Sequence, residues 1–216
     1  MPEEIFRRFE LVKRYAQGER NFTAINLTEV NLSKMNLSQS NFSNATLFVS
    51  NLSGANLSES NFSKANLNVA RLSNANLNRA ILNQATLNVA NLVRTNLREA
   101  TLVRATLVRG ELVRVDMTLA NLNRANLSGA DMREAILTEA NLKQANLSSV
   151  NLRVATVKGT NLEQAILHSA DLTKADLQGA DFTNAELRQA NQVWLISGMP
   201  ISMELILDGL FLMELT

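Results

Sequence analysis

The chain has 216 residues, room for one domain or one continuous repeat array with a sizeable core. Its 21 basic and 20 acidic residues leave a formal charge of +1, which argues against a general polyelectrolyte partner such as bulk nucleic acid but leaves local asymmetry open. Cysteine is absent, so disulfides, thiolate metal sites and cysteine nucleophiles are excluded.

The N-terminus carries Glu3 and Glu4 and no uninterrupted apolar core, so it does not read as a secretory signal, and a cytoplasmic protein is expected. Residues 3 to 17 place Ile5, Phe6, Phe9, Val12 and Tyr15 or Ala16 at spacings of three and four, the pattern of an amphipathic helix. Pro2 suits a first turn and Gly18 a stop. Residues 1–19 are therefore expected to cap the first coil of the array that follows, with docking to another protein as the alternative.

From Phe22 to Leu187 a large apolar residue returns every fifth position, giving thirty-four centres. Most are Leu; Phe stands at 22, 42, 62 and 182, Met at 117 and 132, and Val at 157. A small residue, usually Ala, lies two before each centre, and Asn or Asp usually lies one before. Five residues advance about 500° on an α-helix, which would scatter the leucines over every face. On a flat strand an odd step would flip alternate leucines into water. The chain must therefore turn a corner in each repeat, with the alanine and the centre sharing the inside.

Near-square corners close a coil in four repeats, or twenty residues. All four central phenylalanines differ by multiples of twenty and so fall on one wall. Coils stacked at the β spacing of about 4.8 Å would make a rod of roughly 40 Å. One coil cannot stand alone, because burying a Leu contributes about 1.5–3 kcal/mol while ordering five backbone residues costs roughly 5–10 kcal/mol. Stacking supplies the missing hydrogen bonds and packing. No proline occurs between Pro2 and Pro200, as a ladder-donating backbone requires. Gly54, Gly129, Gly159 and Gly179 fall two after a centre, where the bend most needs glycine.

This array resembles the pentapeptide-repeat proteins, with Ala125 to Gly129, Ala140 to Gln144 and Ala175 to Gly179 matching the repeat in full. The resemblance implies an all-β solenoid, a right-handed quadrilateral β-helix, here over residues 20–190 with a short N-terminal helical cap. The lead-in Tyr15, Ala16, Gly18, Arg20, Asn21, Phe22, Ile25, Asn26 and Leu27 is similar to that of cyanobacterial members, including a regulator of heterocyst differentiation.

The pattern stops after Ala190, where Gln192 takes the next centre. Residues 191–216 hold Trp194, Leu195 and Ile196, then a Gly198 to Pro200 break, then Leu205 to Leu215, interrupted by Glu204, Asp208 and Glu214. The segment is too short and too charged for a membrane span. It reads as a hydrophobic cap over the open β edge, formed by two short helical pieces, or else as a homodimer seam.

No catalytic, cofactor or metal site is expected. His168 directly follows a centre and should point outward as a lone solvated imidazole. Asp171, Asp176 and Asp181 take the usual Asn slot, where a local hydrogen bond to the bend is the expected job. No phosphate loop or metal spacing occurs. The candidate partner surface is an outward collar: Val93 and Arg94, Val103 and Arg104, Val108 and Arg109, Val113 and Arg114, joined by Arg124. Valine that merely suits strands and arginine that merely solubilises give the plain alternative. Residues 71 to 124 carry eight Arg against three acids, and residues 125 to 216 carry six bases against eleven acids, so the rod is polar end to end.

These features point to a non-catalytic scaffold or regulator that presents its walls to a protein partner of unknown identity. A DNA-mimicking topoisomerase (gyrase) protector, a role of some family members, is the alternative. The charge of +1 and an array uninterrupted by a long loop count against it. Direct nucleic-acid binding through the arginines lacks interleaved aromatics and charge excess.

Overall fold

The computed structural model describes residues 2–190, together with the backbone of two short strands beyond them. Helix α1 spans Glu3–Ala16, strand β1 Val193–Leu195 and strand β2 Leu212–Glu214. Between α1 and β1 the chain winds as a solenoid held by single parallel bridges between residues twenty apart, from Asn21 with Asn41 to Ile166 with Glu186. The twenty-residue coil read from the phenylalanines is the observed one.

Almost every backbone N–H in a repeat has an assigned partner, as a stacked coil demands. Leu27 N–H donates to Thr46 O of the next coil (2.7 Å), and Glu29 N–H donates to Phe48 O (2.9 Å). Thr46 N–H donates back to Ile25 O (2.9 Å), while Val30 N–H closes the local turn on Leu27 O (3.1 Å). The fifth donor, on the residue after the centre, is taken by the preceding Asn or Asp: Thr28 N–H reaches Asn26 Oδ1 at 3.0 Å. That bond explains why the slot favours Asn and Asp over other polar residues. Where Thr101 and Thr106 replace the Asn, the N–H groups of Val103 and Val108 find Asn83 Oδ1 (2.9 Å) and Asn88 Oδ1 (3.0 Å) one coil earlier.

The core is a continuous column of centres and alanines, nearly all at 0–2% exposure. Phe22, Phe42 and Phe62 stack with ring centroids 5.4 and 5.1 Å apart. Hydroxyl intruders in the alanine slot are satisfied: Thr95 Oγ1 donates to Leu72 O and Thr160 Oγ1 to Leu137 O, each at 2.7 Å. Such pairing removes most of the cost of burying a hydroxyl.

Gly54, Gly129, Gly159 and Gly179 do stand at left-handed bend positions, as expected. Glycine is not the normal residue of the bend. All thirty-four turns hold their third residue at φ of +53 to +71°, yet only Gly54, Gly129, Gly159 and Gly179 among them are glycine. A left-handed residue with a side chain costs about 1–2 kcal/mol, and here the turn bond and the ladder bond to the next coil jointly impose it. Valine at 49, 69, 89 and 154 is the least comfortable choice, because its branched β-carbon crowds the backbone.

One expectation, concerning α1, is corrected. Its strongly apolar stripe faces outward, with Ile5, Phe6, Phe9 and Val12 between 37 and 61% exposed. Leu11, fully buried, and Tyr15 pack on the first coil instead. The helix is rotated by contacts to the entering chain: Arg20 lies 3.7 Å over the Tyr15 ring, Arg14 lies 5.2 Å over Phe22, and Tyr15 Oη donates to Ser38 O (3.3 Å).

In the tail, β1 and β2 pair in parallel, with Val193 opposite Leu212. These stretches are strands where short helical pieces are expected from the sequence. The rest of the expected cap or dimer seam, and the side chains of both strands, lie outside the described residues.

Candidate interaction surface

Each wall exposes the residue before the centre, and each edge exposes the two after it, so the edges are the most accessible parts of the rod. The acidic wall residues Asp171, Asp176 and Asp181 serve the backbone. Thr173 N–H donates to Asp171 Oδ1 (3.0 Å), Gln178 N–H to Asp176 Oδ1 (3.2 Å) and Thr183 N–H to Asp181 Oδ1 (2.9 Å).

The hydrogen bonds from Thr183 hold the Asp181 carboxyl below its ordinary range, and the Arg133 guanidinium does the same for Asp131. At Asp171 burial pushes the carboxyl upward, but the bonds from Thr173 and the charge of Arg153 outweigh it. A carboxyl lowered in the folded state adds stability above its unfolded value and loses it as pH falls through the folded one. Asn in all three places keeps an acceptor that cannot titrate. Asp131→Asn, Asp171→Asn and Asp181→Asn combined should therefore lose less thermal stability than the wild type as pH drops below 3.8, read by melting curves at stepped pH.

His168 is not the free imidazole expected from the sequence. Its Nε2 lies 2.9 Å from Glu186 Oε2, its side chain is 35% exposed, and its Nδ1 is buried without a partner. Among the described residues no cluster of His, Asp and Glu has the makings of a metal site, and no helix is long and apolar enough to cross a membrane.

The collar residues occupy three of the four edges. Arg94 and Arg114 share one edge, Arg104 and Arg124 a second, and Arg109 lies on a third, each arginine exposed beside a half-buried Val93, Val103, Val108 or Val113 or, at Arg124, Asn123. Stacking twenty apart does not leave all of them to repel. Arg114 Nε donates to Glu134 (2.7 Å), and Arg124 Nε to Gln144 Oε1 (2.8 Å). Some other cations on the rod are matched along the coils, among them Arg79 with Glu99 and Lys143 with Glu163, whereas Lys34, Lys64, Arg71, Lys174 and Arg188 have no side-chain partner among the described residues. Among the described residues, Arg94, Arg104 and Arg109 have neither a carboxylate nor a hydrogen-bond acceptor.

An apolar strip escapes the sequence reading. On the third edge Phe48 and Val49, then Val69, then Val89 follow one another at twenty-residue steps and are 40, 36, 43 and 56% exposed. Val108 and Arg109 continue the same edge. Beside them a shallow cleft of about 570 Å³ is lined by Asn88, Val89, Val108, Arg109, Ser128, Gly129, Ser148 and Ser149. Gly129 lies against the arginine stem, with an added β-carbon in ordinary van der Waals contact with Arg109 Cγ at 3.5 Å.

The family profile for pentapeptide repeats matches in eight copies, over residues 21–47, 50–88, 80–118, 116–153 and 155–191. Among solved structures the chain is similar to HetL, a pentapeptide repeat protein involved in heterocyst differentiation regulation from the cyanobacterium Nostoc sp. strain PCC 7120. The two are 35% identical over 84% of this chain and 94% of that one, with a TM-score of 0.39. Full-length QnrB1, a plasmid-mediated fluoroquinolone resistance protein, is 17% identical over 88% and 94% with a TM-score of 0.53, a likeness of fold alone. Rfr23 from the cyanobacterium Cyanothece 51142 is 25% identical over 82% and 97%, with a TM-score of 0.19. No curated protein matches the chain.

Proposed function

Starting from the fact that this chain belongs to the pentapeptide-repeat family, we propose that it is a non-catalytic regulator that binds a protein partner in the cytoplasm through the edges of a right-handed rod. The observation that carries the proposal is the set of Arg94, Arg104 and Arg109: several cations of the rod lack an ion partner among the described residues, Lys34, Lys64, Arg71, Lys174 and Arg188 included, but these three alone each follow a half-buried valine. A charge kept free beside apolar surface contributes little to folding and much to orienting and desolvating a partner. Residues 1–19 act as the N-terminal cap, and residues 191–216 cap the far end or join two copies. A sizing column with light scattering distinguishes those two roles of the tail.

The topoisomerase-protector alternative calls for acidic walls that imitate a duplex, whereas the free charges along residues 94 to 109 are basic. Arg94→Glu, Arg104→Glu and Arg109→Glu combined should reduce capture of the host partner by roughly tenfold or more in affinity purification followed by mass spectrometry. Equal capture by wild type and variant would remove these arginines from the binding surface.

A further inference from the structure

We infer that the edge from Phe48 through Val49, Val69 and Val89 to Arg109 is a docking strip for an extended apolar peptide segment with an acidic residue at one end. The inference rests on the protein-binding reading above and specifies the chemistry of the partner.

Conformation and exposure both single out this edge. Val49, Val69 and Val89 hold φ of +59, +59 and +57°, a region that β-branched residues avoid. They are also exposed to solvent, with Phe48 beside the first of them. Folding gains from neither property. The other three edges of the same coils show what the turn accepts when nothing else is asked of it: Gly54, Asn74 and Arg94 on one, Asn44, Lys64 and Gln84 on the next, and Gln39, Glu59 and Arg79 on the last. Three of the four left-handed valines among the described residues thus stack in one column, and strain retained at an exposed position points to use rather than stability.

The strip has a direction. Its apolar part ends at Arg109, which has no acceptor among the described residues and whose stem lies against Gly129. Asn88, Ser128 and Ser149 line the cleft beside it and add hydrogen-bond donors. A carboxylate reaching that cleft would meet a guanidinium fork and hydroxyl groups. Three coil steps of about 4.8 Å separate Val49 from Arg109, a span of roughly 14 Å that four or five extended residues at about 3.3 Å each would cover. Apolar side chains would lie on the valines, and the acidic residue at their end would fix the register.

A displayed library of random dodecapeptides selected on the full chain tests this. Enriched sequences should carry a run of apolar residues with Asp or Glu at one end, and a synthetic copy should bind wild type in fluorescence anisotropy. Both Arg109→Gln and the combined Val49→Asn, Val69→Asn and Val89→Asn should weaken it roughly tenfold or more. The asparagine variant should melt at a higher temperature than wild type, because Asn accepts the left-handed turn. Its raised midpoint also shows that lost binding is not lost folding. Peptides that are polar or basic, or no enrichment at all, would overturn the inference. So would binding that survives the asparagine changes, and in that case continued capture of a host protein by wild type would leave the broader protein-binding reading standing.

Discussion

Leu102→Asp is expected to unfold the middle of the rod, while Thr101→Asp, one residue earlier, should change stability by no more than about 0.5 kcal/mol. Leu102 is fully buried, and its N–H donates to Asn121 O at 2.7 Å. Its column neighbours, Leu82 and Leu122, are equally buried, so a carboxylate would meet only hydrocarbon. An unpaired buried charge of this kind costs more than about 4–5 kcal/mol. Thr101 sits in the outward slot that elsewhere holds Asn or Asp, and its hydroxyl lacks a partner. Aspartate there can take over the Val103 N–H from Asn83 Oδ1, as Asp171 accepts that of Thr173. Urea unfolding followed by circular dichroism reads both variants; similar losses from the two would contradict the inside and outside assignment.

Phe42→Ala should cost about 3–5 kcal/mol, and Phe42→Leu less than about 1.5 kcal/mol. The ring is 1% exposed and lies between Phe22 and Phe62 in a stack tilted by 20° and 14°. Alanine removes both aromatic contacts and leaves a cavity that the flanking coils, fixed by their ladders, cannot close. Leucine is the residue that the same wall carries at 82 and 102, so the coil already accommodates its shape. Because each coil touches only its neighbours, the alanine variant should weaken the N-terminal coils more than the distant ones, visible as earlier amide exchange around residues 22–62.

The sequence carried the parts of this architecture that depend on periodicity. A centre every fifth residue and phenylalanines at multiples of twenty define both the coil and its inner face, because misplacing either would put leucine into water. The Asn slot was legible for the same reason: Asp171 and Asp181 make the local bond that short polar side chains make near a bend. The left-handed bend was only half legible. Glycine marked its place four times, but Arg94, Val89 and their counterparts adopt it under compulsion from two backbone bonds that no single repeat displays.

Helix α1 shows the limit of amphipathic pattern. The stripe through Phe6 and Phe9 is the more apolar one, yet the orientation is decided by Tyr15, Arg14 and Arg20, which tie the last turn to Phe22 and Ser38. The collar was found because Val–Arg pairs repeat along the chain. The strip from Phe48 to Arg109 was missed because its members are twenty residues apart and differ from harmless valines only through their turn conformation and exposure. Knowing both the column and the φ angle is what separates Val89 from Val93.

The most direct test of the claim that one edge carries binding is hydrogen exchange on the full chain, with and without a selected peptide. Binding should slow exchange at residues 48–49, 68–69, 88–89 and 108–109 and leave the other three edges of the same coils unchanged. Protection spread evenly over all four edges, or centred elsewhere on the rod, would contradict it.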